Sequence, residues 1–458
     1  MSFQLEPSEQ LDQPVRSSRL GLLREPDFAK LWTAETISQF GTQVSLLAIP
    51  LVAISILQAS AFEVALLGTI EFLPFLLFTL PAGAWVDRLP RRPILIVGDL
   101  GRAVSLTSIP IAYALGGLTI WQLYVVGFVN GVLTVFFDVA YQSYVPAIVD
   151  RDRLVEGNSK LEVSRAVAQI SGPPVAGGLI GVITAPMAII ADALSFLGSA
   201  FFVFRIRRAE PPIARSGEGQ TRRQRVSGFL TEVRGGLGYV LGNVYLRNIA
   251  ASTASSNFFG NISGSIFLVY AVRELDMSAA TIGVVFGLGS IGGLSAALLA
   301  NRIARRIGLG PTIVLAIATG LPAGLLLALA SPATAVVFLV VAAALNGFGG
   351  VVYNINQVSF RQAITPERMQ GRMNATMRFI VWGTIPIGAV IGGIIATITT
   401  LHTAIWVGGI GAALPILPVL LSPVRSLRDM PAPANDETVA APTNLPLGDQ
   451  PMVRPDAG

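Results

Sequence analysis

Nine ionisable side chains lie inside stretches that are otherwise apolar: Glu35, Glu71, Asp99, Asp138, Glu162 and Asp192 against Arg102, Arg165 and Arg378. A charge in such a place must pair, neutralise or meet water, so each marks a site for proton uptake, ion pairing or attraction of a ligand. Six acids against three bases suit a cationic or neutral amphiphile better than an anion. Asp99 and Arg102, three residues apart, read as a structural charge cluster on one helix. Asp138 and Arg165 fall about 12 Å and about 9 Å from the same end of adjacent spans, the right depths to pair. Asp192 reads as a helix-packing acceptor. Glu71 differs in depth, about 15–20 Å from either end of its span and with no base at i±3 or i±4. A carboxyl there can bind and release a proton, the property a proton-coupled carrier needs. Glu71, Asp138 and Glu35 are therefore the proton-coupling candidates, while a neutral structural role and a substrate contact stay open for Glu71.

Other chemistry is excluded by composition. The chain has no cysteine and one histidine, His402, which leaves no thiol nucleophile, disulfide framework or metal cluster. No cofactor is expected, and no loop carries a nucleophile, base and acid together, so an enzyme is the least favoured class. Trp85, Trp121, Trp382, Trp406 and His402 take the default reading of span ends and helix packing.

The elements that must position these groups are membrane helices. Of 458 residues, 52% are hydrophobic and 13% charged, far from soluble-domain usage. Apolar runs bounded by Pro, Gly or charge predict spans near 30–57, 61–84, 93–115, 120–146, 159–184, 186–204, 246–271, 278–300, 311–330, 333–358, 374–398 and 401–421. The expected organisation is a cytoplasmic N-terminus (1–27), a six-helix half (28–204), a central linker (205–245), a second six-helix half (246–421) and a disordered cytoplasmic tail (422–458). No cleavable leader is expected, the first span itself being the targeting element. Within the linker, Phe229, Leu230, Val233, Leu237, Val240 and Leu241 recur at helical spacing, and Gly235, Gly236 and Gly238 weaken that amphipathic pattern.

The bases set the orientation. With a cytoplasmic N-terminus, 31 of the 32 Lys and Arg fall on the cytoplasmic side and Arg273 alone falls outside. The net charge of +5 is thus a topology signal, suited to anionic lipid headgroups and not to nucleic acid. Localisation in the cell (inner) membrane follows, with both termini cytoplasmic and a monomer favoured.

The chain contains a duplication. Gly83-Ala84-Trp85-Val86-Asp87-Arg88-Leu89-Pro90-Arg91-Arg92 matches Ala297-Leu298-Leu299-Ala300-Asn301-Arg302-Ile303-Ala304-Arg305-Arg306 at an offset of 214. Asn130-Gly131, Asp138, Ser143 and Asn158 match Asn346-Gly347, Asn354, Ser359 and Asn374 at 216. Parallel six-helix repeats with a site between them are a transporter architecture. On these residues the chain resembles the major facilitator superfamily, whose loop between helices 2 and 3 carries G-x-x-x-D-R-x-x-R-R, here Gly83, Asp87, Arg88, Arg91 and Arg92. Pro90 stands where Gly is usual, and Ala297 and Asn301 depart from the pattern in the second copy, with Arg302, Arg305 and Arg306 kept. Asp99-Leu100-Gly101-Arg102, Phe136-Phe137-Asp138-Val139-Ala140 and Asp192-Ala193-Leu194-Ser195-Phe196 resemble the branch of macrolide efflux pumps and the enterobactin exporter, drug:proton antiporters. Ser171-Gly172-Pro173-Pro174-Val175-Ala176-Gly177-Gly178 resembles the antiporter motif G-P-x-x-G-G with one residue inserted.

Gly83 is expected to let two helices approach, and Asp87 to face a helix N-terminus and the arginines, latching the cytoplasmic side when the carrier opens outward. The bland reading is that the arginines only hold topology. Polar stripes at helical spacing mark helix 1 (Glu35, Ser38, Gln39, Thr42), helix 4 (Asn130, Thr134, Asp138, Tyr141), helix 7 (Asn248, Ser252, Ser255, Ser256) and helix 10 (Asn346, Asn354, Gln357). The resemblance implies that these helices line a central cavity. The function read from all this is proton-coupled export of a hydrophobic drug-like compound by alternating access. Its rivals are a siderophore or metabolite exporter and a receptor or scaffold that has kept the fold.

Overall fold

A computed structural model of the protein describes residues 21–86, 88–150, 153–208, 210 and 235–429. The described residues form helices and no strand. In chain order they are α1 (Pro26–Leu51), α2 (Ala61–Val86), α3 (Arg91–Ala114), α4 (Ile120–Ile148), α5 (Leu154–Ile183), α6 (Ala185–Phe204), α7 (235–242), α8 (Val244–Gly264) and α9 (Phe267–Arg273). They continue with α10 (Ala279–Ile307), α11 (Leu309–Ala318), α12 (Gly320–Ala328), α13 (Ala335–Ala363), α14 (Glu367–Ile398), α15 (Leu401–Gly411) and α16 (Ile416–Leu420).

Eleven of these segments are long and apolar enough to cross a membrane. The twelfth crossing is α8 with α9, whose combined length suffices but whose Asn and Ser content lowers its hydropathy. Twelve spans in two six-helix halves result. Pro50 in α1 is followed by a π-turn at Val52–Ile56, and α11 and α12 form one broken span. The apolar face expected on 229–241 is only partly within reach: 229–233 lie outside the described residues, and in α7 Val240 is buried while Leu241 is exposed.

The duplication extends to the backbone. Gln58 and Asp276, in Leu57-Gln58-Ala59-Ser60 and Leu275-Asp276-Met277-Ser278, both adopt the left-handed conformation, with φ of 52° and 51°. Each is followed by the same bond, Ala59 N–H to the Ala53 carbonyl (2.9 Å) and Met277 N–H to the Ala271 carbonyl (2.9 Å). The serines then cap the next helix, Ser60 through Glu63 and Ser278 through the N–H of Thr281.

Three buried clusters fix how the halves sit. One joins both halves at the end away from the arginine-rich loops, bringing Leu47, Val52 and Leu67 together with Tyr270, Ile282 and Ala404. The other two lie at the basic end, and each belongs to a single half: Phe28, Leu95 and Tyr144 in one, Leu246, Ile313 and Phe360 in the other. The halves therefore meet at the far end and part at the basic end. Small residues make the far-end contact close. Gly283 of α10 lies against the Pro173 carbonyl, Gly177 of α5 against Ala279 and Ala280, and Gly393 of α14 against Phe62 and Ala65 of α2. Arg273 adds a cross-link, donating to the Ala59 carbonyl at 2.7 Å.

Candidate functional site

The N-terminal half gathers charge. Arg102 and Asp99 form a 2.5 Å ion pair, 5% and 0% exposed. The guanidinium is held between the rings of Phe137 and Phe196, at 4.3 and 4.1 Å from their centroids, so its planar cation is solvated by π-faces as well as by the carboxylate. Around it, Glu35 and Asp138 lie within electrostatic reach of both Arg102 and Arg165. Glu35 is buried and accepts from Gln39 at 2.6 Å, whereas Asp138 is exposed. The expected direct pair of Asp138 with Arg165 is not formed; the ion pair of Arg165 is with Glu162 at 3.7 Å, its neighbour one helical turn back. Arg102 is taken by Asp99 and Arg165 by Glu162, so Asp138 stays within electrostatic reach of both arginines without an ion pair to either. Asp192 accepts from Ser195 at 3.0 Å, as a packing acceptor does.

Glu71 sits apart from this cluster, half-buried on α2, with its Cγ against Gly127 of α4. Among the described residues it has no hydrogen-bond or ion-pair partner. One residue on, Phe72 meets Trp382 of α14 edge to face at 5.9 Å, so this depth of α2 is also where the halves touch.

The C-terminal half instead holds an uncharged cavity of about 820 Å³ between α8, α10, α11–α12, α13 and α15. Its polar lining is five carboxamides, Asn257, Asn261, Asn346, Asn354 and Gln357, with the hydroxyl residues Thr253, Ser256, Ser263, Thr319 and Tyr353. Thr253 and Tyr353 bond each other at 2.6 Å, Asn257 donates to the Val381 carbonyl at 2.9 Å, and Gln357 donates to Asn354 at 3.1 Å. No acidic or basic side chain lines it among the described residues.

The expected lining residues thus divide. Ser256, Asn346, Asn354 and Gln357 reach the cavity. Ser252 does not: it is fully buried and donates to the Pro415 carbonyl at 2.7 Å. Asn130 turns to α3, donating to Ser105 at 2.9 Å, so it ties two helices of its own half. Gln39 pairs with Glu35, while Thr42, Thr134 and Tyr141 are half-buried, with the Tyr141 hydroxyl unpartnered. The face of α8 turned to the cavity is Thr253, Ser256, Asn257, Gly260, Asn261 and Gly264, one residue round from the stripe the sequence suggested.

The two copies of the loop motif also differ. Asp87 lies outside the described residues. Gly83 has open space beside it, so the close approach expected there is absent while the halves are parted. Arg92 bonds the last carbonyls of α6, Val203 at 3.3 Å and Phe204 at 2.5 Å, as a cation at a helix C-terminus should. Glu210 caps α3 by accepting from the N–H groups of Arg91 and Arg92, both at 2.8 Å, a role that no local spacing announces across more than a hundred residues. Arg88 is exposed. The second copy lies on unbroken α10, where Asn301, Arg302, Arg305 and Arg306 are all exposed. Of the antiporter-like residues, Gly172 packs on Gln43 and Pro173 and Gly177 meet α10, while Gly178 faces open space.

A bundle sealed at one end and parted at the other, around polar groups that lipid could not solvate, has the architecture of a membrane carrier. The profile of the Major Facilitator Superfamily matches residues 31–383 and 252–452, and the chain belongs to that family. It is 26% identical over 356 residues to the multidrug efflux pump Tap of Mycolicibacterium fortuitum, covering 75% of this chain and 83% of that one. It is 24% identical over 180 residues to macrolide efflux protein A of Streptococcus pyogenes, covering 39% and 44%. Among solved structures, a bacterial homologue of the iron transporter ferroportin in its inward-facing state superposes with a TM-score of 0.71 at 16% identity, covering 87% of this chain and 98% of that one. The outward-facing state of that homologue gives 0.53 at 17% identity, with 86% and 98% covered. The chain is a multi-pass membrane transporter with relatives named for drug and macrolide efflux.

Proposed function

We propose that this transporter resides in the cell membrane with both termini cytoplasmic and expels a hydrophobic, drug-like compound in exchange for protons. The observation that carries the coupling is Glu71: a carboxyl within a span, without a hydrogen-bond or ion-pair partner, at the depth where α2 touches α14. A proton bound there neutralises the group before the surrounding helices rearrange, and its release on the other side resets the carrier. On this reading the described state opens to the cytoplasm and loads substrate from it, with Asp138 and Glu35 as the further proton-handling candidates near the open end. The latch reading belongs to the opposite state, in which Asp87 and the arginines would hold the basic end shut.

The deciding measurement is efflux from reconstituted vesicles across a panel of compounds, with and without an imposed pH gradient. Glu71→Gln keeps size but removes the ionisable group, so gradient-driven accumulation should be abolished while gradient-free exchange persists. Full drive in Glu71→Gln together with uncoupling in Asp138→Asn would transfer the proton site to α4. Orientation is tested by single cysteines in this cysteine-free chain: an impermeant thiol reagent added to cells should label Ser60→Cys and spare Ser426→Cys.

A further inference from the structure

We infer that the cavity inside the C-terminal half is a binding site for the uncharged, hydroxyl- and carbonyl-rich part of the transported molecule; that the occupant is cargo rests on the exporter reading. The cavity is built by five spans of one half and includes residues of α11–α12 and α15, so it lies within that half and not merely in the cleft between halves. At about 820 Å³ it is far larger than a packing defect and falls in the range that holds drug-sized molecules.

Its chemistry selects a class of guest. Carboxamides donate and accept, so a ring of them matches hydroxyls and carbonyls equally well. Gln357 adds an unspent acceptor at the wall: it lines the cavity, is 4% exposed, and its Oε1 is buried with no partner, so a turn of its amide toward the space offers that acceptor to a donor from a guest. Phe259, Phe267, Phe286 and Leu327 give the cavity apolar walls for a carbon skeleton. A fully charged guest would lose its hydration without gaining an ion pair, because no acid or base lines the cavity among the described residues. Glycines at Gly260 and Gly350 leave the space clear, since a Cβ on either meets nothing within 4 Å.

The test is equilibrium dialysis of the purified full-length protein in nanodiscs without any gradient. Two labelled compounds are compared: erythronolide B, an uncharged macrolactone polyol, and tetraphenylphosphonium, a cation with no hydrogen-bonding group. The wild type should bind erythronolide B. Gly260→Leu and Gly350→Leu push side chains into the space from two helices and should each weaken that binding about tenfold, as should Gln357→Leu, which removes the acceptor. Tetraphenylphosphonium should lose less than the neutral compound in all three. Gel-filtration profile and melting temperature establish that each variant is folded, and the two glycine sites fail independently. Absence of erythronolide B binding in the wild type, equal losses for both compounds, or binding unmoved in the folded variants would each overturn the site. If the binding pattern holds but vesicles export nothing under a gradient, the exporter reading falls and the site stands. If export is driven but the pattern is absent, the site falls and the exporter reading stands.

Discussion

The N-terminal half keeps the Asp99–Arg102 ion pair and the buried acids Glu35 and Asp192 in its interior, whereas the C-terminal half surrounds its interior space with amides and hydroxyls. Both descend from one six-helix unit, down to matched left-handed turns at Gln58 and Asp276. Backbone geometry therefore survived duplication while the side-chain chemistry of the two interiors diverged. The same divergence appears at the basic end, where Arg92 caps α6 and its counterpart Arg306 reaches into open surroundings.

The sharpest break of this contrast is Arg102→Leu. It strands Asp99 as an uncompensated buried charge, which should cost about 3–5 kcal/mol, whereas Arg378→Leu loses only an exposed contact over Trp382 worth about 1 kcal/mol. Thermal melts of the purified variants compare them, and replacing both Asp99 and Arg102 by Leu should recover much of the loss. Equal melting temperatures for the two single variants would erase the distinction between the halves.

A smaller effect is expected where the halves join. Arg273→Leu removes a charge-assisted bond, so the far end should open more often, by about tenfold in the closed-to-open ratio. Spin labels on Ser60→Cys and Thr281→Cys report that ratio as a distance distribution. Next, Arg92→Ala should destabilise the fold by about 1 kcal/mol through the lost cap on α6, and Arg306→Ala by less than about 0.5 kcal/mol. Matching losses would mean that the second copy also grips a helix end. Smallest of all, Asn346→Asp grafts an acid onto the neutral cavity and should tighten tetraphenylphosphonium binding about threefold, since an exposed charge acts through a high dielectric. Unchanged affinity would show that cations never reach that space.

Much of the fold was legible because hydropathy and length are decisive in lipid: every predicted span is matched by a helix or, at 246–271, 311–330 and 401–421, by a pair of consecutive helices, with ends shifted by a few residues. The larger shifts occur at the basic end. There α10, α13 and α14 continue through Ile307, through Ala363 and from Glu367, since charged residues that end a hydropathic run do not end a helix. At the site, Asp99 with Arg102 could be read from i,i+3 spacing, and the isolation of Glu71 from the lack of nearby bases. The lining of α8 could not be fixed, because polar residues cover more than one face: Ser252 and Thr253 are adjacent, and only tertiary packing decides that the first meets Pro415 and the second the cavity. Contacts made by main-chain groups, such as Glu210 at the start of α3, leave no trace in residue spacing at all.

The strap at the far end has a consequence for how sequences of this family can be compared. Arg273 holds a main-chain oxygen, which every residue at position 59 provides. Substitutions at 59 need no compensating change at 273, so the pair should generate no correlated substitution between the halves. A map of covarying positions would then draw the far-end junction from side-chain neighbours such as Phe72 and Trp382 and pass over this cross-link entirely.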